Sequence, residues 1–426
     1  MEQRTAAARQ AQRADRLFRG SIAALLDGDG QTGHDKLFEA IRRAPSHYPA
    51  VRLHAAIAAR GGHEQIARDA MLRYYARFPV RTINATRIGQ EPALLCVRGF
   101  SRTRLIAARS EIKGIRTTFR GGHFTTKFLL KASSYPIHRL TIAGGNILAQ
   151  GLVPDHALLL NTIADPDVEA ESLKTLAEYL DRHPEERVIN RPEQVLKLSR
   201  DQNHRRFDAL NGVRFPETHR IRLENADAGM VAARLSELGL DGAAVILRRT
   251  EGQTARKAAR IGNRTDLEAS VGDRRLTGEF YAIRYVQSLW RGRMFRKLRL
   301  FRIGARFYPV VCHLDHHWNV HGDNRRKVMK TDEALMAEER RFLDDWRSYV
   351  GAANVERLER IAGMVGLEWW GLDFTVDEAG DLLIYELNPA MRHSFDYGPV
   401  FPYKQPVDQR ITDAFTAMVE TGLRAG

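Results

Sequence analysis

Residues 371–392, GLDFTVDEAGDLLIYELNPAMR, constrain the fold of this chain more than any other stretch. Leu372, Phe374 and Val376 alternate with Gly371, Asp373 and Thr375, the period-2 pattern of a half-buried strand. Residues 377–381 read as a polar turn in which Gly380 is free to take positive φ, and residues 382–388 return as a second strand. Glu386 and Asn388 are two apart and therefore emerge on one face of that strand. If the strands pair across the turn, Asp373 lies beside them. Two carboxylates and an amide oxygen on one patch suit a hard cation such as Mg²⁺, which takes oxygen ligands and shares them with nucleotide phosphates.

An Asp, a Glu thirteen residues on, then an Asn and a Pro resemble the metal-binding motif of ATP-grasp enzymes. The glutathione synthetase and ribosomal-protein glutamate ligase branch is nearest and D-alanine–D-alanine ligase more distant. The resemblance implies that Asp373, Glu386 and Asn388 hold Mg²⁺ (or Mn²⁺) ions bridging the phosphates of ATP. The alternative is an acidic hairpin with solvated carboxylates, which leaves the same-face Glu-x-Asn-Pro unexplained.

The chain has 426 residues, 43% of them hydrophobic, enough to bury more than one core. Cys96 and Cys312 are far apart, without the spacing of a disulfide framework or a zinc site. The N-terminus lacks the apolar core of a signal peptide, and no apolar run approaches the ~18–20 residues of a membrane span. A soluble, cytoplasmic protein is expected. The formal net charge of +14 fits anionic partners, but the Arg residues are spread along the chain and no nucleic-acid reader motif is present. Nucleotides and acidic substrates are expected rather than nucleic acid.

The fold class expected is α/β, an α+β ATP-grasp nucleotide cleft with an N-terminal all-α helical-repeat region. Residues 1–82 carry helical periodicity throughout. HDKLFEAIRRAP and ARDAMLRYYARFP echo each other and end at Pro45 and Pro79, the tetratricopeptide period, with Gly61 and Gly62 where paired helices would turn. This region is either a binding module for a peptide or protein partner, or a helical cap or dimer contact. Residues 83–192 alternate short apolar strands with helices, implying an α/β layer with a mostly parallel sheet. Residues 120–123, Arg-Gly-Gly-His, make a tight turn that offers His123 as a substrate contact. Residues 193–426 would form the ATP-grasp domain, with a nucleotide-binding part at about 215–290 and a metal-binding part at about 291–426.

Within that domain the resemblance implies further roles. Arg200 stands where a phosphate-binding Lys is common, and an Arg still meets phosphate, with a fork. Arg248, with Arg249 as competitor, ends the strand whose terminal cation contacts the phosphates. The loop after it, from Thr250 to Thr254, has one Gly and an acidic residue, a departure from the Gly-rich phosphate lid. Residues 280–286 read as a strand, with Arg284, Tyr285 and Val286 as the segment that meets adenine. A hairpin turning at Gly304 carries Lys297 and Arg299 on one face. Two cations so placed need an anion or solvent between them. Arg299 would contact the transferring phosphate, and Lys297 either assists or guards a sheet edge.

His313, His316, His317 and His321 lack the ligand spacing of structural zinc. Residues 332–350 and 354–365 read as two charged helices and 408–424 as a closing one. With Gly371 where some relatives place an Arg, Arg392 is the candidate clamp for a substrate carboxylate. These parts imply phosphoryl transfer from ATP to a carboxylate, then attack by an amine, with release of ADP and phosphate. An ATP-grasp kinase and a non-catalytic nucleotide-binding scaffold are the competing readings.

Overall fold

The computed structural model describes residues 2–101, 104–110, 114–130, 133–144, 148, 151–250, 258–272, 275–322, 324–393 and 400–425. Four helices come first: Glu2–Leu26, Gly30–Arg43, Tyr48–Arg60 and Glu64–Arg77. The Asp29 side chain caps the second by accepting from Thr32 N at 3.0 Å. Gly33 lets the first two helices close up, because a Cβ there would stand 2.6 Å from Leu25 Cγ. Gly61 ends the third helix, and Gly62, at φ 84°, turns the chain into the fourth. Ala14, Leu37, Ala40, Ala50 and Leu53 make a small core of their own here.

The first sheet follows. Its strands are β1 (Val80–Ile83), β2 (Leu94–Gly99), β5 (Ile137–Ile142), β6 (Leu158–Asn161) and β7 (Val188–Ile189), ordered β1-β5-β2-β6-β7. All neighbours are parallel except the β1–β5 pair. Between β2 and β5 the chain makes a separate antiparallel hairpin of β3 (Arg104–Ser110) and β4 (Gly114–Arg120), which the sequence pattern did not announce. A helix, Pro166–Arg182, connects β6 to β7.

Two further sheets form the rest. The first is antiparallel and ordered β11-β10-β12-β9, from β9 (Thr218–Ala226), β10 (Val245–Arg249), β11 (Ala259–Ile261) and β12 (Leu276–Arg284), and has its own apolar core. The second is ordered β14-β13-β15-β16-β8, from β8 (Val213–Arg214), β13 (Phe295–Ile303), β14 (Arg306–Asp315), β15 (Trp369–Val376) and β16 (Leu382–Asn388). It is antiparallel except for its parallel β16–β8 pair. The expected hairpin of β15 and β16 is present, with Gly380 at φ 84° in its turn. Its first strand is not half-buried, however: residues 369–375 are buried on both faces. β13 and β16 flank β15, and Phe124, Phe301 and Phe415 close on the Trp369 ring. The single helix expected over 332–350 is two, Glu333–Asp344 and Trp346–Val350, because Asp345 adopts non-helical angles and caps the second through Ser348 N.

One core runs from the third and fourth helices through the first sheet into the β13–β16 sheet. Asn190 joins the sheets where β7 ends. It is buried at φ 65°, donates to Trp369 O at 2.7 Å and accepts from Trp369 N at 2.9 Å, reproducing a strand pairing with a side chain. The C-terminal helix, Gln405–Arg424, buries Val407, Ile411, Phe415, Val419 and Leu423 and bonds Leu129 O through Thr416 Oγ1. The chain end thereby seals the first sheet to the last. No helix among the described residues is long and apolar enough to cross a membrane.

Candidate active site

The β9–β12 sheet and the β13–β16 sheet face each other across a cleft of about 150 Å³. Ile246, Ile283, Val286 and Val320 make its apolar part, and Tyr285 meets the Trp318 ring edge-on with centroids 6.0 Å apart. At the other end Arg200, Arg248, Lys297, Asp373 and Glu386 converge.

Register sets this convergence. Asp373 on β15 pairs directly with Glu386 on β16, and Arg299 on β13 pairs directly with Asp373, so all three side chains share one face. Arg299 grips Asp373 with two parallel bonds, Nε to Oδ1 at 2.6 Å and Nη2 to Oδ2 at 2.7 Å. Lys297 Nζ stands 3.4 Å from Oδ2. The anion needed between Lys297 and Arg299 is thus Asp373. Burial pushes its carboxyl up, but the two cations outweigh burial and bring it down to about 2.

Glu386 takes Arg200 Nη2 on Oε1 at 2.5 Å and the Asn388 amide at 2.9 Å. Arg200 also donates to Tyr385 O at 2.9 Å. Burial raises the Glu386 carboxyl, and Arg200 and Arg248 more than offset it. Arg248 is half-buried on the cleft side, and the Arg200 charge, followed by burial, lowers it to about 10. Arg249, one residue on, is exposed on the opposite face of β10, over the Phe280 ring and bonded to Thr277 O. Strand alternation and the stacking of the sheets thus put Arg248, and not Arg249, on the cleft side.

Arg284 lines the cleft, but its guanidinium is held by Glu217 at 2.6 Å and Gly239 O at 3.2 Å. β12 ends at Arg284, so Tyr285 and Val286 begin the connection to the next sheet rather than finish a strand. Arg392 meets the site through its backbone, accepting from Arg299 Nη1 at 2.8 Å, and is itself exposed. The lid residues 251–254 lie outside the described residues.

The candidate substrate contact His123 also resolves differently. His123 is wholly engaged: Nε2 accepts from Gly99 N at 2.9 Å, so the hydrogen of the neutral ring is on Nδ1 and is donated to Gly121 O at 3.0 Å. It braces a turn and has no nitrogen left for substrate. His313 is buried on β14 and held well below its ordinary pKa by burial, then by Arg325 and Lys297. Among the described residues no three His, Cys, Asp or Glu side chains gather at metal-binding distance.

Sequence reading missed Asp165 and Asp167, which follow β6 at the start of the helix Pro166–Arg182. They line a groove of about 40 Å³ with Arg200, Arg248, Glu386 and Asn388. Asp167 takes Arg220 at 2.5 Å and the Tyr281 hydroxyl at 2.6 Å. Burial, then the Asp167 charge, pushes Asp165 up to about 7. The Asp-Pro-Asp after an apolar run was the available signal, although it also reads as an ordinary helix cap.

No family model matches the chain, and no curated protein matches it. Among solved structures it is similar to the RimK domain protein ATP-grasp from Sphaerobacter thermophilus, at 14% identity and TM-score 0.43, over 77% of this chain and 99% of that one. It is also similar to D-alanine–D-alanine ligase from Bacillus anthracis complexed with ATP, at 8% identity and TM-score 0.43, over 78% and 98%. N5-carboxyaminoimidazole ribonucleotide synthetase from Thermotoga maritima follows at 11% identity and TM-score 0.38, over 76% of each.

Proposed function

We propose that this chain is an ATP-grasp ligase that activates a carboxylate with ATP and joins it to an amine. The observation that carries the reading is the cross-strand pair Asp373 and Glu386, set among Arg200, Arg248, Lys297 and Arg299 at the polar end of an otherwise apolar cleft. An adenine ring suits the slot between Ile246, Ile283 and Val286, and a polyphosphate suits the cations beyond it.

The donor set fits Mg²⁺ in part. Asp373, Glu386 and Asn388 supply only oxygen, as a hard cation requires, but two carboxylates and an amide leave positions for phosphate and water oxygens. Bound there, the ion would neutralise charge on the β- and γ-phosphates. Arg299 is then the residue that must change partner: its fork fits a phosphoryl group as well as it fits Asp373. Arg200 and Arg248 stabilise negative charge on the phosphates where it develops. The terminal phosphoryl passes to the substrate carboxylate, giving an acyl phosphate and ADP. An amine nitrogen then attacks the acyl carbon, an amide bond forms, the C–O bond to phosphate breaks, and phosphate leaves with the electron pair while the nitrogen loses a proton.

The test is Mg²⁺-dependent ADP release with pooled carboxylates and amines, with hydroxylamine present to trap the acyl phosphate, and Glu386→Gln beside the wild type. ADP with a hydroxamate, both lost in the variant, is the expected result. ADP with a phosphorylated product and no hydroxamate would refute the ligase in favour of a kinase. Tight ATP binding without turnover under any substrate would favour the scaffold.

A further inference from the structure

The β9–β12 sheet closes on its own apolar core, and among the described residues none of that core belongs to the larger one. The chain enters this lobe at Glu217 and leaves it after Arg284. Those two points lie side by side, with Arg284 N donating to Glu217 O at 2.8 Å and Arg284 Nε to Glu217 Oε2 at 2.6 Å. The lobe therefore hangs from one edge. With separate apolar cores, polar contacts beyond that edge set how far it leans over the β13–β16 sheet.

One such contact comes from the first sheet. Arg220 of β9, Tyr281 of β12 and Arg248 of β10 are direct partners in register, so their side chains form a row across one face of the lobe. Asp167, in the first turn of the helix Pro166–Arg182, meets that row at the edge strand β9. Its Oδ1 accepts from Arg220 Nη2 at 2.5 Å and its Oδ2 from the Tyr281 hydroxyl at 2.6 Å. The Asp167 backbone N–H is in turn donated to Asp165 Oδ1 at 2.9 Å, which fixes the turn. Burial, then the Asp167 charge, holds the Tyr281 hydroxyl above its ordinary value, so it stays a donor. Asp201 gives Arg220 a second, longer contact at 3.3 Å but is shared with Ser199 and Arg205. Arg248 stands at the inner end of the same row, beside Arg200 and Glu386.

We propose that Asp167 is a positioning residue, a latch on the β9–β12 lobe that acts through Arg220 and Tyr281 to hold Arg248 at the phosphate end of the cleft. The latch stands on these contacts alone, whereas its effect on ATP rests on the nucleotide reading. Releasing it lets the lobe swing about Glu217 and Arg284, which carries Arg248 away from Glu386 and opens the cleft. A carboxylate at the edge of one sheet thereby governs a cation two strands into another.

Two measurements on the full chain test this. The native thiols of Cys96 and Cys312 are buried, so spin labels at the exposed positions Lys174→Cys and Met230→Cys report the distance between the first sheet's helix and the lobe by pulsed electron resonance. Asp167→Ala should broaden that distance distribution about twofold or more. Glu279→Gln, which cuts a bond of Arg220 inside the lobe, should leave it as in wild type. In calorimetry with ATP and Mg²⁺, Asp167→Ala should weaken binding about tenfold. Because that loss acts through Arg248, the double variant Asp167→Ala/Arg248→Ala should bind within about twofold of Arg248→Ala alone, whereas independent losses would multiply. Tyr281→Phe keeps the buried ring and removes only the hydroxyl; it should shift both readouts in the same direction by less, and serves should Asp167→Ala not fold. An unchanged distance distribution in both variants would overturn the latch, and losses that multiply would overturn its action through Arg248. Wild type that binds no ATP would sink the nucleotide reading, while the distances would still decide the latch.

Discussion

Replacing Asp373 with Asn tests the electrostatic arrangement at the centre of the cleft. Asp373 is 2% exposed. Burial alone would raise its carboxyl, yet Arg299 and Lys297 take it from 3.8 to about 2. With the folded pKa below the unfolded one, the unfolded chain binds the proton more readily. The stabilisation is therefore complete above about pH 4 and disappears as pH falls through about 2. A drop from 3.8 to about 2 corresponds to about 2 kcal/mol, of which about 1 kcal/mol is gone by pH 3. Asp373→Asn removes this and leaves two cations facing an amide, so at pH 7 the variant should be about 3–5 kcal/mol less stable. Urea unfolding followed by tryptophan fluorescence reads the change locally, because Trp369 and Trp370 lie on β15 itself and are fully buried. The gap between wild type and variant should shrink by about 1 kcal/mol from pH 7 to pH 3, as acid does to the wild type what the substitution did already. A gap that stays constant over that range, or a variant as stable as wild type, would refute the ion-pair account.

Arg248→Ala should raise the KM for ATP about tenfold or more, whereas Arg249→Ala, on the opposite face, should stay within twofold; equal effects would mean the face assignment is wrong. Gly99→Ala should cost about 2–3 kcal/mol in chemical denaturation, because the new Cβ would stand 2.3 Å from Glu169 Oε2 and from Ser172 Oγ. Arg325→Ala should cost about 3–5 kcal/mol by the same measurement. It takes the guanidinium from the fully buried Glu339, which keeps the Tyr403 hydroxyl, Cys312 N and, at 3.9 Å, Lys404 Nζ.

The sequence by itself determined the local geometry of the β15–β16 hairpin. Alternation placed Leu372, Phe374 and Val376 against Asp373, Gly380 marked the turn, and a two-residue spacing put Glu386 and Asn388 on one face. These are consequences of backbone periodicity, which nearest neighbours suffice to specify. The same period set Arg248 and Arg249 on opposite faces without saying which face met the cleft. Only the stacking of two sheets answered that. Tertiary structure likewise decided that β15 is buried on both sides, that Arg299 lies opposite Asp373, and that Arg200 reaches Glu386. It also brought Asp165 and Asp167 to the cleft edge, and turned His123 from a candidate ligand into a turn brace. Periodicity runs along one strand, whereas a charge is matched across space by whichever segment the packing of distant elements delivers there.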